Sequence, residues 1–237
     1  MAAGTFLIGG GWDPAISREL YPAFLDAAGP GPVIACVVVD EGQGAQQYDR
    51  FAAALTTAGA CRPVPVLVPL GRPLTPGRLP DADGLLVCGG LTPAYAQALQ
   101  PSAAELRDWL RDRPYCGFSA GAAVAATRAV VGGWRHDGLQ VCPEDAGEDL
   151  DQVTVVEGLG LVPYAVDVHC AQWGTLPRLL TAVASSPLPG RAVAGVGLDE
   201  GTMLTERDGS TQVSGSGNAW VVRADGTVTP VAGGGRF

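Results

Sequence analysis

The chain has 237 residues, of which 47% are apolar and only 16% charged, with a formal net charge of −9. That length suits one large α/β domain over residues 1–237, with ample material for a core. The acidic balance, with no Lys/Arg-rich segment, excludes the partners that reward a basic surface, nucleic acid and anionic membrane. An acidic substrate would need local cations to hold it. The longest uninterrupted apolar run, Val33 to Val39, is too short to span a bilayer, and the N-terminus has no signal-peptide pattern. The six cysteines (36, 61, 88, 116, 142 and 170) stand at least 25 positions apart, which rules out metal-knuckle and C-x-x-C spacings. A reducing cytoplasm is the expected setting.

Gly4 to Ile8 is an apolar strand that runs into Gly9-Gly10-Gly11. No phosphate-loop spacing follows, so close backbone approach at the strand's carboxyl end is preferred over nucleotide binding. Ile16 to Ala28 has helical spacing, with Ile16, Leu20, Phe24 and Ala27 on one face. Val33 to Val39 is a strand buried on both sides. Gln46 to Ala58 is a second helix and Pro65 to Leu70 a weaker strand. After the Pro/Gly-rich stretch 71–80, Gly84 to Cys88 repeats the opening pattern: an apolar strand, the pair Gly89-Gly90, then a helix with Pro93 in its first turn. Two short helices, Ala94 to Leu99 and Ser102 to Arg111, lead to a strand ending near Gly117 and to helix-forming residues over Ala120 to Ala129.

Beyond that point, Val131 to Leu150 is glycine-rich, then acidic, and reads as a hairpin and surface excursion. Val153 to Val156 and Leu161 to Val168 are strand-like, Thr175 to Ala184 is helical, and Ala192 to Leu198 is another buried strand. From Thr202 to Val231, turns at Asp208-Gly209, Gly215-Ser216-Gly217 and Asp225-Gly226 divide three or four short strands. The predicted class is therefore α/β: a mostly parallel sheet with helices on both faces, finished by antiparallel C-terminal strands.

The chemistry centres on Gly117-Phe118-Ser119-Ala120-Gly121, a G-x-S-x-G strand–turn–helix pattern that holds a serine on a tight turn. Its glycines leave room for backbone to pass close to Ser119, and the helix after it aims free N–H groups at the reaction centre. A serine needs a base to become a nucleophile. Of the two histidines, His136 lies in a polar glycine-rich loop. His169 follows a strand in which Asp167 and His169 share one face by period-two alternation, and it is the preferred base. Two carboxylates compete to orient it: Glu200, just past the strand ending at Leu198, and Asp167. By spacing alone they are even. The oxyanion donors are expected to be backbone N–H groups, one from Ala120 and one from Gly89-Gly90.

Gly-Phe-Ser-Ala-Gly-Ala, Val-Cys-Gly-Gly-Leu-Thr, Asp-Val-His and Gly-Leu-Asp-Glu-Gly-Thr occur in the chain. Through them it resembles the dipeptidase E and cyanophycinase family, serine peptidases on the class I glutamine amidotransferase-like fold. The resemblance extends from Ile8 to the Glu200 segment. It implies Ser119 as nucleophile, His169 as general base, Glu200 as third member, and Gly90 with Ala120 as oxyanion hole. It further implies acyl-enzyme hydrolysis of a small peptide or isopeptide substrate without metal or cofactor, an aspartyl residue on the acyl side, and a homodimer. The chain departs from that pattern at Leu91, where the family commonly has Asn, Asp or Gln, and after the histidine, where Cys170 and Gln172-Trp173-Gly174-Thr175 stand. Its first arginine there, Arg178, is expected on a solvated helix face. The aspartyl preference does not follow from these residues.

Overall fold

The computed structural model describes residues 4–186, 190 and 192–237. In chain order its elements begin with β1 (Thr5–Ile8), α1 (Pro14–Ala28), β2 (Val33–Asp40), α2 (Gly44–Ala58), β3 (Arg62–Pro69) and β4 (Gly84–Val87). Then come α3 (Thr92–Leu99), α4 (Ala103–Trp109), β5 (Tyr115–Phe118), α5 (Ala120–Val124) and β6 (Ala126–Gly132). The excursion carries β7 (Arg135–His136) and β8 (Leu139–Gln140), and β9 (Thr154–Glu157), β10 (Val162–Val168), α6 (Cys170–Trp173), α7 (Leu176–Ser185) and β11 (Val193–Leu198) follow it. The chain ends in β12 (Thr202–Arg207), β13 (Ser210–Gly215), β14 (Asn218–Arg223) and β15 (Val228–Ala232).

The strands form two large sheets. One has seven strands in the order β13-β12-β1-β5-β4-β2-β3, the other six in the order β15-β14-β11-β10-β6-β9. Strands β1 to β5 pair in parallel, as do β6, β10 and β11, while β12 to β15 and β9 join antiparallel. The expected parallel sheet with antiparallel C-terminal strands is thus present, divided into two. The division arises directly after the serine turn. Residues 120–129 do not form one helix: α5 ends at Val124 and the chain enters β6 at Ala126. Alanine favours a helix locally, but Thr127, Val130 and Val131 are β-branched, and pairing with both β9 and β10 overrides the weak propensity.

Three apolar layers hold the sheets. Helices α1 and α2 cover the outer face of the seven-stranded sheet, where Leu20, Phe24, Phe51 and Leu55 meet Ile8, Cys36, Cys88 and Cys116. The interior layer joins the inner faces of both sheets, with Leu7, Val37 and Val87 from one and Val166, Val168 and Val196 from the other. Helices α3 and α5 lie in that layer, and α5 touches β1, β4 and β5 on one side and β6 and β10 on the other. Helix α7 covers the far face of the second sheet with Leu179 and Ala182.

Strand β3 closes one edge. Pro63, Pro65 and Pro69 are spaced so that their missing N–H groups all face away from β2, whereas Arg62, on the alternate set, donates to Pro32 O at 2.8 Å. Prolines placed this way blunt an edge without costing a ladder bond.

The parallel strands all end on one side. Ile8 pairs with Phe118, Val87 with Gly117 and Val168 with Leu198. The segments 9–11, 89–90, 119, 169 and 199–200 therefore meet in one place, the crevice beyond the carboxyl ends of the strands where open α/β sheets hold ligands.

Candidate active site

Ser119 is held in a turn with φ 50° and ψ −111°. That positive φ strains a residue with a Cβ, and strain of this kind persists only where the surroundings impose it. Here they do. A Cβ on Gly117 would overlap the Gly121 carbonyl, and one on Gly121 would overlap the Val87 carbonyl. Only glycines let α5 press so closely against β4 and β5. Tyr115 Oη donates to Gly121 O at 2.6 Å, and Ser119 N donates to Ile8 O at 2.8 Å, locking the bend from two sides.

Ser119 Oγ lies 2.7 Å from His169 Nε2, and His169 Nδ1 lies 2.8 Å from Glu200 Oε1. A carboxylate at Nδ1 accepts a hydrogen bond from the N–H there, which leaves the Nε2 lone pair facing the serine hydroxyl. Burial pulls the His169 pKa below its ordinary 6.5, against the upward pull of the bond to Glu200. The ring is thus neutral, and able to take a proton, at neutral pH.

The alternation expected through the strand stops at Val168, because His169 adopts left-handed backbone geometry with φ 56°. Asp167 and His169 therefore do not stand side by side. Asp167 is fully buried and forms a two-pronged pair with Arg178, 2.7 Å to Nη2 and 2.9 Å to Nε. The carboxylate at the imidazole is that of Glu200, 2.8 Å from Nδ1. Arg178 corrects a second expectation. Only 2% exposed, it is no solvated group: α7 packs on the sheet through the same flank, so its guanidinium has Asp167 and the Ala146 carbonyl for partners. Burial works against the charge on Arg178, but Asp167 outweighs it and holds the pKa above the ordinary value. His136 is in the β7–β8 hairpin, 3.5 Å from Asp137 and away from this cluster, as the loop reading expected.

The glycines at the end of β1 have a plain purpose. Gly10 (φ 110°) faces the imidazole, and Gly11 (φ 93°) faces Glu200. His169 N donates to Gly9 O at 3.2 Å and Gly201 N to Gly10 O at 2.9 Å, so this run seats both groups. Close approach, expected for the triple glycine, is what it provides. Asp199 fixes the turn before Glu200 by accepting Ala171 N at 3.0 Å, Asn218 N at 3.0 Å and Trp220 Nε1 at 2.8 Å. Gln172 Oε1 accepts Glu200 N at 2.8 Å.

Gly89 and Gly90 border the same cavity as Ser119. The Gly89 carbonyl accepts from Gln47 Nε2 and, at 2.9 Å, from Tyr95 Oη. In a trans peptide the N–H points opposite to the C=O, so the Gly90 N–H is turned away from those two groups. Ala120, first residue of α5, has no helical acceptor for its N–H.

Two aromatic features went unread in the sequence. Trp173 stacks on His169 with ring centroids 3.9 Å apart and planes 7° apart. Its signal was present, since a residue four positions on lies one helical turn away. Trp12 packs at 4.6 Å on Phe51 and 5.1 Å on Phe118, and Arg50 sits 4.1 Å above its ring. Trp12, Arg50, Phe118 and Trp173, with residues of the excursion 144–151, border a cavity of about 860 Å³ over Ser119, His169 and Glu200.

Comparison with protein-family models and with curated proteins gives no match. Solved structures do match. A peptidase from an acI-B1 Actinobacterium superposes with a TM-score of 0.68 at 18% identity, over 100% of this chain and 97% of that one. A candidate peptidase E protein from Listeria monocytogenes EGD-e superposes with a TM-score of 0.57 at 14% identity, over 91% of this chain and 99% of that one. The fold of this chain is therefore the peptidase E-like fold that its motifs resemble.

Proposed function

We propose that the protein is a serine-type peptidase that hydrolyses a small peptide or isopeptide bond through an acyl-enzyme on Ser119. The observation that carries this is the continuous chain of hydrogen bonds from Ser119 Oγ through His169 to Glu200 Oε1, 2.7 and 2.8 Å long, at the floor of a cavity. The peptidases that share the fold support it.

In this reading Ser119 Oγ attacks the scissile carbonyl carbon as its proton passes to His169 Nε2. Glu200 keeps Nδ1 protonated and stabilises the imidazolium. The negative charge that develops on the carbonyl oxygen is met by the N–H groups of Gly90 and Ala120. Collapse expels the amine with the proton from His169. Water then attacks the ester carbonyl, giving up a proton to His169, and collapse returns that proton to Ser119 Oγ as the C–O bond breaks and the acid product leaves. Because the acid follows the histidine in the chain, the order is Ser, His, Glu and not the Ser, acid, His order of α/β-hydrolase esterases. One interior layer joining both sheets supports residues 1–237 as one domain, and six unpaired cysteines suit a reducing cytoplasm.

A hydrolysis panel of dipeptides with each N-terminal residue, β-aspartyl forms included, tests the proposal. Turnover of at least one member, lost in Ser119→Ala and His169→Ala, is the expected result. No turnover across the panel counts against it and favours a non-catalytic binding protein on this fold.

A further inference from the structure

The cavity over Ser119 has walls of unequal charge. Residues 144–151 contribute Glu144, Asp145, Glu148, Asp149 and Asp151, and Glu41, which accepts Leu91 N at 2.9 Å, adds a further carboxylate. Among the described residues the single arginine or lysine on the lining is Arg50, stacked over Trp12. Six carboxylates besides Glu200 thus face one guanidinium in a space that must admit the substrate.

The acidic wall is held from behind and does not hang free. Arg178 donates to the Ala146 carbonyl, Gly133 N donates to Gly147 O at 2.8 Å, and Trp134 Nε1 donates to Asp151 Oδ1 at 3.3 Å. Glu148 spans to the turn after Gly90, where its two oxygens accept Thr92 N at 2.9 Å and Thr92 Oγ1 at 3.1 Å. Glu148 and Asp149 both have positive φ, 56° and 59°. Two consecutive left-handed residues with side chains are strained, and here the strain turns the backbone so that the wall borders the cavity. Among the described residues two cations lie near this wall without lining the cavity: Arg178, behind it, is paired with Asp167, and Arg135 is stacked 4.6 Å over the Trp134 ring.

We propose that this peptidase selects substrates by positive charge, taking peptides whose side chain or free amino terminus places an ammonium or guanidinium against the 144–151 wall. The inference rests on the nucleophile assignment above and deepens it. A cleft lined with one sign of charge raises the local concentration of the opposite sign and repels its own. The aspartyl residue implied by the resemblance would meet repulsion from six carboxylates, with Arg50 alone to offset it.

Three fluorophosphonates that differ only in the end of an alkyl tail test this without knowledge of the scissile bond: trimethylammonium, methyl and carboxylate. Each reacts by attack of Ser119 Oγ on phosphorus, with loss of fluoride and transfer of the hydroxyl proton to His169. The expected order of second-order rate constants is cation, neutral, anion, with a total spread of about tenfold or more at low salt. In 1 M salt, where charges are screened within about 3 Å, the spread collapses. The combined variant Glu144→Gln/Asp145→Asn/Asp149→Asn narrows it to under about threefold; asparagine at 149 keeps the left-handed backbone.

A binding arm stands apart from the chemistry. In Ser119→Ala, indole fluorescence from Trp134 and Trp173 is titrated with Lys-Ala amide, norleucyl-Ala amide and N-acetyl-Glu-Ala amide. Tightest binding by the lysyl amide and weakest by the glutamyl one is expected. Equal rates and equal affinities, or preference for the carboxylate probes, overturn the charge proposal. Absence of labelling with the same order of binding overturns the nucleophile assignment alone.

Discussion

Gly10 and His169 occupy adjoining space with nothing to spare: a Cβ on Gly10 would lie 2.7 Å from the imidazole Nδ1 and closer still to Cε1. The glycine run after the first strand is thus the seat of a histidine found 159 positions later in the chain. Gly10→Ala must either push the ring off Ser119 or strain a backbone at φ 110°. The expected outcome is a fall of about 100-fold or more in the rate of fluorophosphonate labelling, since small displacements of a catalytic group cost that much. The thermal transition should move by only a few degrees, about what one strained residue costs. A near-native labelling rate in a folded variant would refute the seating role.

The pH profile follows from His169. In the proposed mechanism the neutral ring is the base, so activity should be present above the pKa of the folded protein and be lost as pH falls through it. Burial lowers that pKa from 6.5, so the acid limb of kcat/KM should have its midpoint below 6.5. In Glu200→Gln the upward pull of the carboxylate is gone, and the midpoint should move lower still. A midpoint above 6.5 in the native protein would contradict the description of the site.

Glu200 and Asp167 should separate cleanly into activity and stability. Glu200→Gln is expected to lower kcat by about 100- to 10,000-fold with little change in melting temperature, as loss of an orienting carboxylate does in serine triads. Asp167→Asn leaves the buried Arg178 charge without its carboxylate, at a cost of about 3–5 kcal/mol. For a chain of this size that is a drop of about 10 °C in Tm. Asp167→Leu/Arg178→Met, which removes both charges, should recover much of the loss. Equal effects of Glu200→Gln and Asp167→Asn on kcat would undo the assignment.

Trp173 holds one face of His169. Trp173→Ala should slow labelling about tenfold, and Trp173→Phe should restore most of the rate, because an aromatic stack is worth about 0.5–1.5 kcal/mol. Unchanged kinetics in the alanine variant would show that the ring needs no such support.

How much of this could be read from residue order depended on how local each cause was. The serine bend was legible because its glycines sit within two positions of Ser119. The run 9–11 announced a close approach, but not to what. The division into two sheets was not legible, since alanines 120–129 favour a helix and only pairing with distant β9 and β10 draws Ala126 to Gly132 into a strand. Arg178 failed for the same reason. A helix pattern marks which positions lean inward, but only the fold supplies an Asp167 beneath one of them. That the imidazole meets Glu200 and not Asp167 could not be read from spacing, because it follows from the left-handed backbone of His169, a single torsion that breaks the period of the strand.

The most direct test of the central claim is the intact mass of the protein after exposure to a neutral fluorophosphonate. The native chain should gain one phosphonyl group, mapped by peptide sequencing to Ser119. Ser119→Ala should gain none, and His169→Ala should react at least about 100-fold more slowly. A native protein that stays unmodified under conditions that label a control serine hydrolase, or one modified equally in Ser119→Ala, would contradict the account.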